Sequence, residues 1–83
     1  MPFTVGWIRS ALEELARIWI NAPSRQAINN ASRRIDILLR VSSMSVGQPL
    51  GLNRRLTVGP LQVVYRVLPD DCLVRVLRVK FVG

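Results

Sequence analysis

The spacing of apolar residues passes from a helical period to an alternating one beyond the middle of this chain, and that change limits the folds open to it. Ile8, Ala11, Leu12, Leu15, Ile18 and Trp19 recur every three or four residues, which stacks them on one face of a helix. Arg9, Ser10, Glu13, Glu14 and Arg17 take the other face, and the pattern ends near Asn21 and Pro23. Ser24 is placed to cap a second helix, its hydroxyl accepting from a free backbone amide. Ile28, Ala31, Ile35, Leu38 and Leu39 line that helix, with Arg25, Arg33, Arg34 and Arg40 mainly off the stripe. The short link between the two favours an antiparallel helical hairpin.

After residue 53 the period drops to two. Arg54 to Val58, Leu61 to Leu68 and Cys72 to about Val82 read as strands, divided by Gly59-Pro60 and by Pro69-Asp70-Asp71. Phe3 and Val5 alternate with Thr4 as a short first strand, whereas Ser42 to Leu52 has no period and reads as a loop. The expected order is β-α-α-β-β-β. This is an α+β domain, residues 1–83, with a helical hairpin packed on one face of a mainly antiparallel sheet.

Alternation sorts the strand residues by face. Leu61, Val63, Tyr65 and Val67 belong under the helices with Leu56, Val58, Leu77, Val79 and Phe81. The uncovered face then carries Arg55, Thr57, Gln62, Arg66, Arg78 and Lys80. Arg75 has core parity, so it lies at an edge or the strand bulges. Tyr65, with core parity, is expected to find a hydrogen bond rather than do chemistry. Asp70 and Asp71 serve their turn, and Glu13 and Glu14 point apart on their helix.

Charge bears on what that face can meet. Twelve Lys and Arg stand against five Asp and Glu, for a net charge of +7, and Lys80 is the one cation that is not arginine. No acid occurs between Ile37 and Pro69. Such a face attracts phosphates or an acidic protein. With 49% hydrophobic residues in 83, the chain is rich enough in apolar surface to expect a covering partner.

Histidine is absent and Cys72 is the lone cysteine, which leaves no imidazole catalysis, no disulfide within the chain and no zinc site of ordinary composition. No phosphate-cradling glycine loop is present, so neither a cofactor nor a small-molecule substrate is expected. The residues from Met1 to Gly6 lack a basic start followed by an apolar run, and no stretch is apolar enough to span a bilayer. A cytoplasmic protein without membrane contact is expected.

Two runs resemble the C-terminal half of a RelE/ParE toxin: Arg54-Arg55-Leu56-Thr57-Val58-Gly59-Pro60-Leu61-Gln62-Val63-Val64-Tyr65-Arg66-Val67 and Leu73-Val74-Arg75-Val76-Leu77-Arg78-Val79. The stretch from Ala11-Leu12-Glu13-Glu14-Leu15 to Ile35-Asp36 is similar to that family's helical hairpin. The resemblance implies the toxin of a type II toxin–antitoxin pair, bound by a cognate antitoxin through an acidic or amphipathic segment. RelE-like members cut mRNA on the ribosome without a metal, the ribose 2′-hydroxyl attacking the adjacent phosphate while cations neutralise the transition state. ParE-like members act on DNA gyrase instead, and a degenerate member would keep only antitoxin binding.

Carried over by position, Arg55 matches a basic catalytic residue of the RNA-cutting group; Arg66 and Lys80, which have no such counterpart by spacing, are further catalytic candidates from the open face. Arg54, Arg55, Gln62, Arg66, Arg78 and Lys80 form the expected phosphate-gripping set. Gln62 stands where the family places a catalytic arginine. The family's later Arg and Tyr lie in a tail beyond the last strand, and the sequence Phe81-Val82-Gly83 offers neither.

Overall fold

A computed structural model describes residues 2–83. Strand β1 (Thr4–Trp7) leads into helix α1 (Arg9–Asn21) and helix α2 (Arg25–Ser42). Four strands follow: β2 (Gln48–Leu50), β3 (Asn53–Val58), β4 (Leu61–Leu68) and β5 (Leu73–Phe81). The sheet order is β1-β5-β4-β3-β2, with β1 parallel to β5 and every other pair antiparallel.

The helices start and stop where the sequence requires. The Ser24 hydroxyl accepts from the Ala27 amide at 3.2 Å, the expected cap. Ala11 of α1 and Ile28, Ala31, Ile35 and Leu39 of α2 are buried against Leu56, Leu61, Val63, Tyr65, Val74, Val76 and Val79. Each fully buried branched side chain contributes roughly 1.5–3 kcal/mol. A domain of this size has few such residues, so each weighs heavily. The Trp7 indole donates to Asp36 Oδ1 at 2.9 Å and ties β1 to α2.

Three expectations are corrected. The 42–52 segment is not wholly loop: Gln48–Leu50 pairs with β3, so the order is β-α-α-β-β-β-β. β2 is a short, exposed edge strand containing Pro49, a place where a residue without an amide hydrogen is tolerated. Leu77 is not a core residue. The register of β4 on β5 runs Val64 to Arg78 and then Tyr65 to Val76, leaving Leu77 as the extra residue of a bulge. The bulge changes the phase of β5, so Val74 and Val76 fill the core with Val79 while Arg75 points outward. Phe81 keeps core parity opposite Leu61 but lies at the strand's end and is exposed.

Gly47 shows why the 43–47 turn has its sequence. Its φ is +73°, and a Cβ there would fall 2.5 Å from the Arg55 carbonyl oxygen. Only glycine allows this approach of the turn to β3.

Candidate nucleic-acid interface

The uncovered face can be described as rows running across the strands. The first row is Thr57 of β3, Gln62 of β4 and Lys80 of β5. The second is Gln48, Arg55, Val64 and Arg78, one from each of β2 to β5. The third holds Arg66 and Arg75, which are direct partners, with Gly6 of β1 beside Arg75. Rows repeat every second residue, or about 6.7 Å along a strand.

Neutral groups and one acid hold these side chains. Arg55 Nη2 donates to Gln48 Oε1 at 3.3 Å, and Arg66 Nε donates to Asn53 Oδ1 at 2.9 Å. Gln62 Nε2 donates to Thr57 Oγ1 at 3.1 Å, so its amide hydrogens are partly committed within the protein. Arg78 meets Glu14 of α1 at 3.4 Å, and the other Glu14 oxygen accepts from the Val79 amide, also at 3.4 Å. Past Val76, β5 runs on beyond its pairing with β1, and the Glu14 carboxylate covers part of that free edge. With Arg78 73% exposed, the ion pair adds little stability.

Arg55, Arg66, Arg78 and Lys80 therefore share one exposed face, and Gln62 lies half-buried among them. A shallow depression of about 280 Å³ is lined by Arg55, Gln62, Val64, Arg78 and Lys80. Arg54 does not belong to this set. It has helix-side parity opposite Tyr65, and its guanidinium donates to the carbonyls of Val46 at 3.1 Å and Gly47 at 3.2 Å. Its work is to hold the turn. Arg75, whose core parity called for an edge position or a bulge, has the bulge: the extra residue Leu77 turns it to the open side.

Five cations on one face, with Glu14 the acid in contact with them among the described residues, make a surface suited to a polyanion. Tyr65 takes no part in it. Buried on the opposite side, its phenol is pushed above the ordinary 10.0 by desolvation, with the nearby charge of Arg54 pulling the other way. Among the described residues there is no grouping of three acids, cysteines or histidines able to hold a metal. Nor, among the described residues, is any helix long and apolar enough to cross a membrane.

No family model matches the sequence, nor does any curated protein. Solved structures do match. A chain of the RelBE2 toxin–antitoxin complex from Mycobacterium tuberculosis superposes with a TM-score of 0.82 at 20% identity, covering 98% of this chain and 92% of that one. A chain of the chromosomal ParDE system from P. aeruginosa gives 0.77 at 21% identity, covering 98% and 97%. The isolated E. coli RelE toxin gives 0.68 at 12% identity, covering 98% and 85%. At these identities the likeness is one of architecture, and it runs the length of the sheet and hairpin: the chain has the fold of the RelE/ParE toxin superfamily.

Proposed function

We propose that this chain is the toxin of a toxin–antitoxin pair, and that its uncovered basic face engages messenger RNA on the ribosome and cleaves it without a metal. The observation that carries this reading is the clustering of Arg55, Arg78 and Lys80 around Gln62 on a face without histidine. In such a reaction the ribose 2′-hydroxyl gives its proton to solvent as its oxygen forms a bond to the adjacent phosphorus. The bond to the 5′-oxygen breaks as that oxygen takes a proton from solvent, leaving a 2′,3′-cyclic phosphate and a 5′-hydroxyl. Negative charge builds on the phosphoryl oxygens in between. Arg55 and Lys80 are placed to neutralise it, and removal of one such donor costs roughly 100- to 1,000-fold in rate. Arg66 and Arg78 grip flanking phosphates.

The antitoxin fits a different surface. Leu12 and Ile20 are exposed beside a groove between the helices that Leu15, Trp19 and Ile28 also line. An amphipathic segment laid there would bury them, and acids on its flanks would complement a charge of +7. Both partners meet the chain in the cytoplasm.

One observation favours a second reading. Gln62 carries no fixed charge and is bonded to Thr57, and Glu14, the one carboxylate touching the face among the described residues, is occupied with Arg78 and Val79. A ParE-like toxin that inhibits gyrase by contact needs neither cation nor base at that point. Primer extension on translated messages after induction separates the two. The proposed reading expects cuts inside coding sequence that disappear in Arg55→Gln and Lys80→Gln. Growth arrest without cuts, accompanied by loss of DNA supercoiling, supports the gyrase reading. Antitoxin binding without arrest marks a degenerate toxin.

A further inference from the structure

We propose that Arg66 and Arg75 form a second phosphodiester subsite, separate from the one around Gln62, which fixes the position of a single RNA strand along the sheet. This rests on the RNA-binding reading above and adds to it the length and register of the strand bound.

The two arginines are direct partners across β4 and β5. Like charges at that spacing repel, and a sheet ordinarily places an opposite charge or a neutral residue there. Here no carboxylate comes within ion-pair distance of either, the one ion pair among the described residues being that of Arg78 with Glu14. Both side chains are exposed. Asn53 fixes the Nε edge of Arg66 at 2.9 Å, which orients that guanidinium while leaving its terminal nitrogens free to donate. On the far side of Arg75 lies Gly6, where even a Cβ would have nothing within 4 Å. A pair of planar donors with open space on the β1 side, and no internal anion, matches the two free oxygens of a phosphodiester.

Spacing favours a polymer over a lone anion. From Gln62 to Arg66 is four residues along β4, or about 13 Å. A stacked single strand advances about 3.4 Å per nucleotide, so the two subsites lie roughly four nucleotides apart on a stacked strand and fewer on a stretched one. Arg55 and Arg78 occupy the row between, so cations follow the whole path. A polyanion with one charge on every unit can meet all three rows in any sequence. An acidic peptide can do so only with acids placed at alternate positions.

The test measures binding of 2′-O-methylated oligouridylates, which cannot be cut, to the parent chain, Arg66→Gln, Arg75→Gln and the double variant across a salt series. An octamer is expected to bind each single variant roughly tenfold more weakly. The slope of log affinity against log salt should shrink by about 0.7 for each arginine removed. A dinucleotide is too short to reach both subsites and should bind the double variant at least a third as well as it binds the parent. If the double variant keeps the parent's affinity and slope for the octamer while Arg55→Gln loses both, the subsite is wrong and the RNA-binding reading stands. If the parent chain binds no octamer, both fall. If oligoglutamate of equal charge displaces the octamer from the parent as well as unlabelled octamer does, the pair serves an acidic protein segment and the phosphate assignment is overturned.

Discussion

The Tyr65 hydroxyl, on the central strand β4, lies 2.9 Å from the carbonyl oxygen of Ser43 and the same distance from that of Val46. One phenol thus pins the end of α2 and the start of the β2 segment to the middle of the sheet. Arg54 binds the Val46 carbonyl as well, which leaves Ser43 as the group more dependent on Tyr65. Tyr65→Phe is expected to fold normally and to lose about 1–2 kcal/mol of stability, since it strands a buried acceptor. Urea unfolding measures this. An unchanged midpoint would show that the turn does not need the hydroxyl.

The same phenol predicts a pH dependence. Burial holds it above the ordinary 10.0 in the folded chain, so on raising the pH the unfolded chain loses the proton first. The native state then holds more protons than the unfolded one, and stability falls as pH rises. The contribution of Tyr65 is intact below pH 10.0 and is lost as pH climbs through the higher folded value. The urea midpoint of the parent chain should therefore decline more steeply above that point than the midpoint of Tyr65→Phe. Parallel curves would remove the phenol as the cause.

Arg75→Thr removes one of two facing cations and supplies a residue suited to a strand. Stability should rise by a few tenths of a kcal/mol, and by more at low salt, where repulsion is less screened. Affinity for RNA should fall at the same time. Thermal melts at two salt concentrations check the first part. A variant no more stable than the parent at either salt would mean that the two guanidinium groups splay apart at no cost.

Gln62→Arg places a fixed charge in the row that already holds Lys80. The cost to the fold is the hydrogen bond from Gln62 to Thr57 at the protein surface, and is expected to be small. Cleavage of translated messages should increase by at least tenfold, short of the full effect of an oxyanion donor because the neutral amide already supplies part of it. Primer extension after matched induction reads the change. No cleavage by either folded protein would turn the reading toward a protein target.

Much of this fold can be read from the residues because both helices and the two central strands are half-buried, and half-burial writes a period into the sequence. Leu61 to Leu68 shows it plainly, with alternate residues going under the helices. β2 leaves no such mark, since Gln48, Pro49 and Leu50 are all exposed and no face of that strand meets the core. The open-face set was legible as far as strict alternation holds, which brings Arg55, Gln62, Arg66, Arg78 and Lys80 together. For Arg75 it left two readings, an edge position or a bulge, and the bulge is the one found; its place at Leu77 is set by two strands at once, and neither alone announces that. Arg54 differs again. It was expected among the phosphate-gripping residues, but its partners are carbonyl groups of a turn, which leave no pattern in the side chains.

Along β4 and β5, Val63 to Arg66 is opposed by Arg75 to Val79, so one strand runs a residue ahead of the other. The spare residue, Leu77, acts as a frame-setter for charge. Loss of that one residue would let the hydrogen-bond ladder close without a gap, and the sheet would look more regular. It would also turn one end of β5 over, driving Arg75 inward or carrying Arg78 and Lys80 beneath the helices. A single in-frame codon deletion is thus enough to separate the ladder from the cations it displays, and the irregular version is the one that keeps all five on the same side.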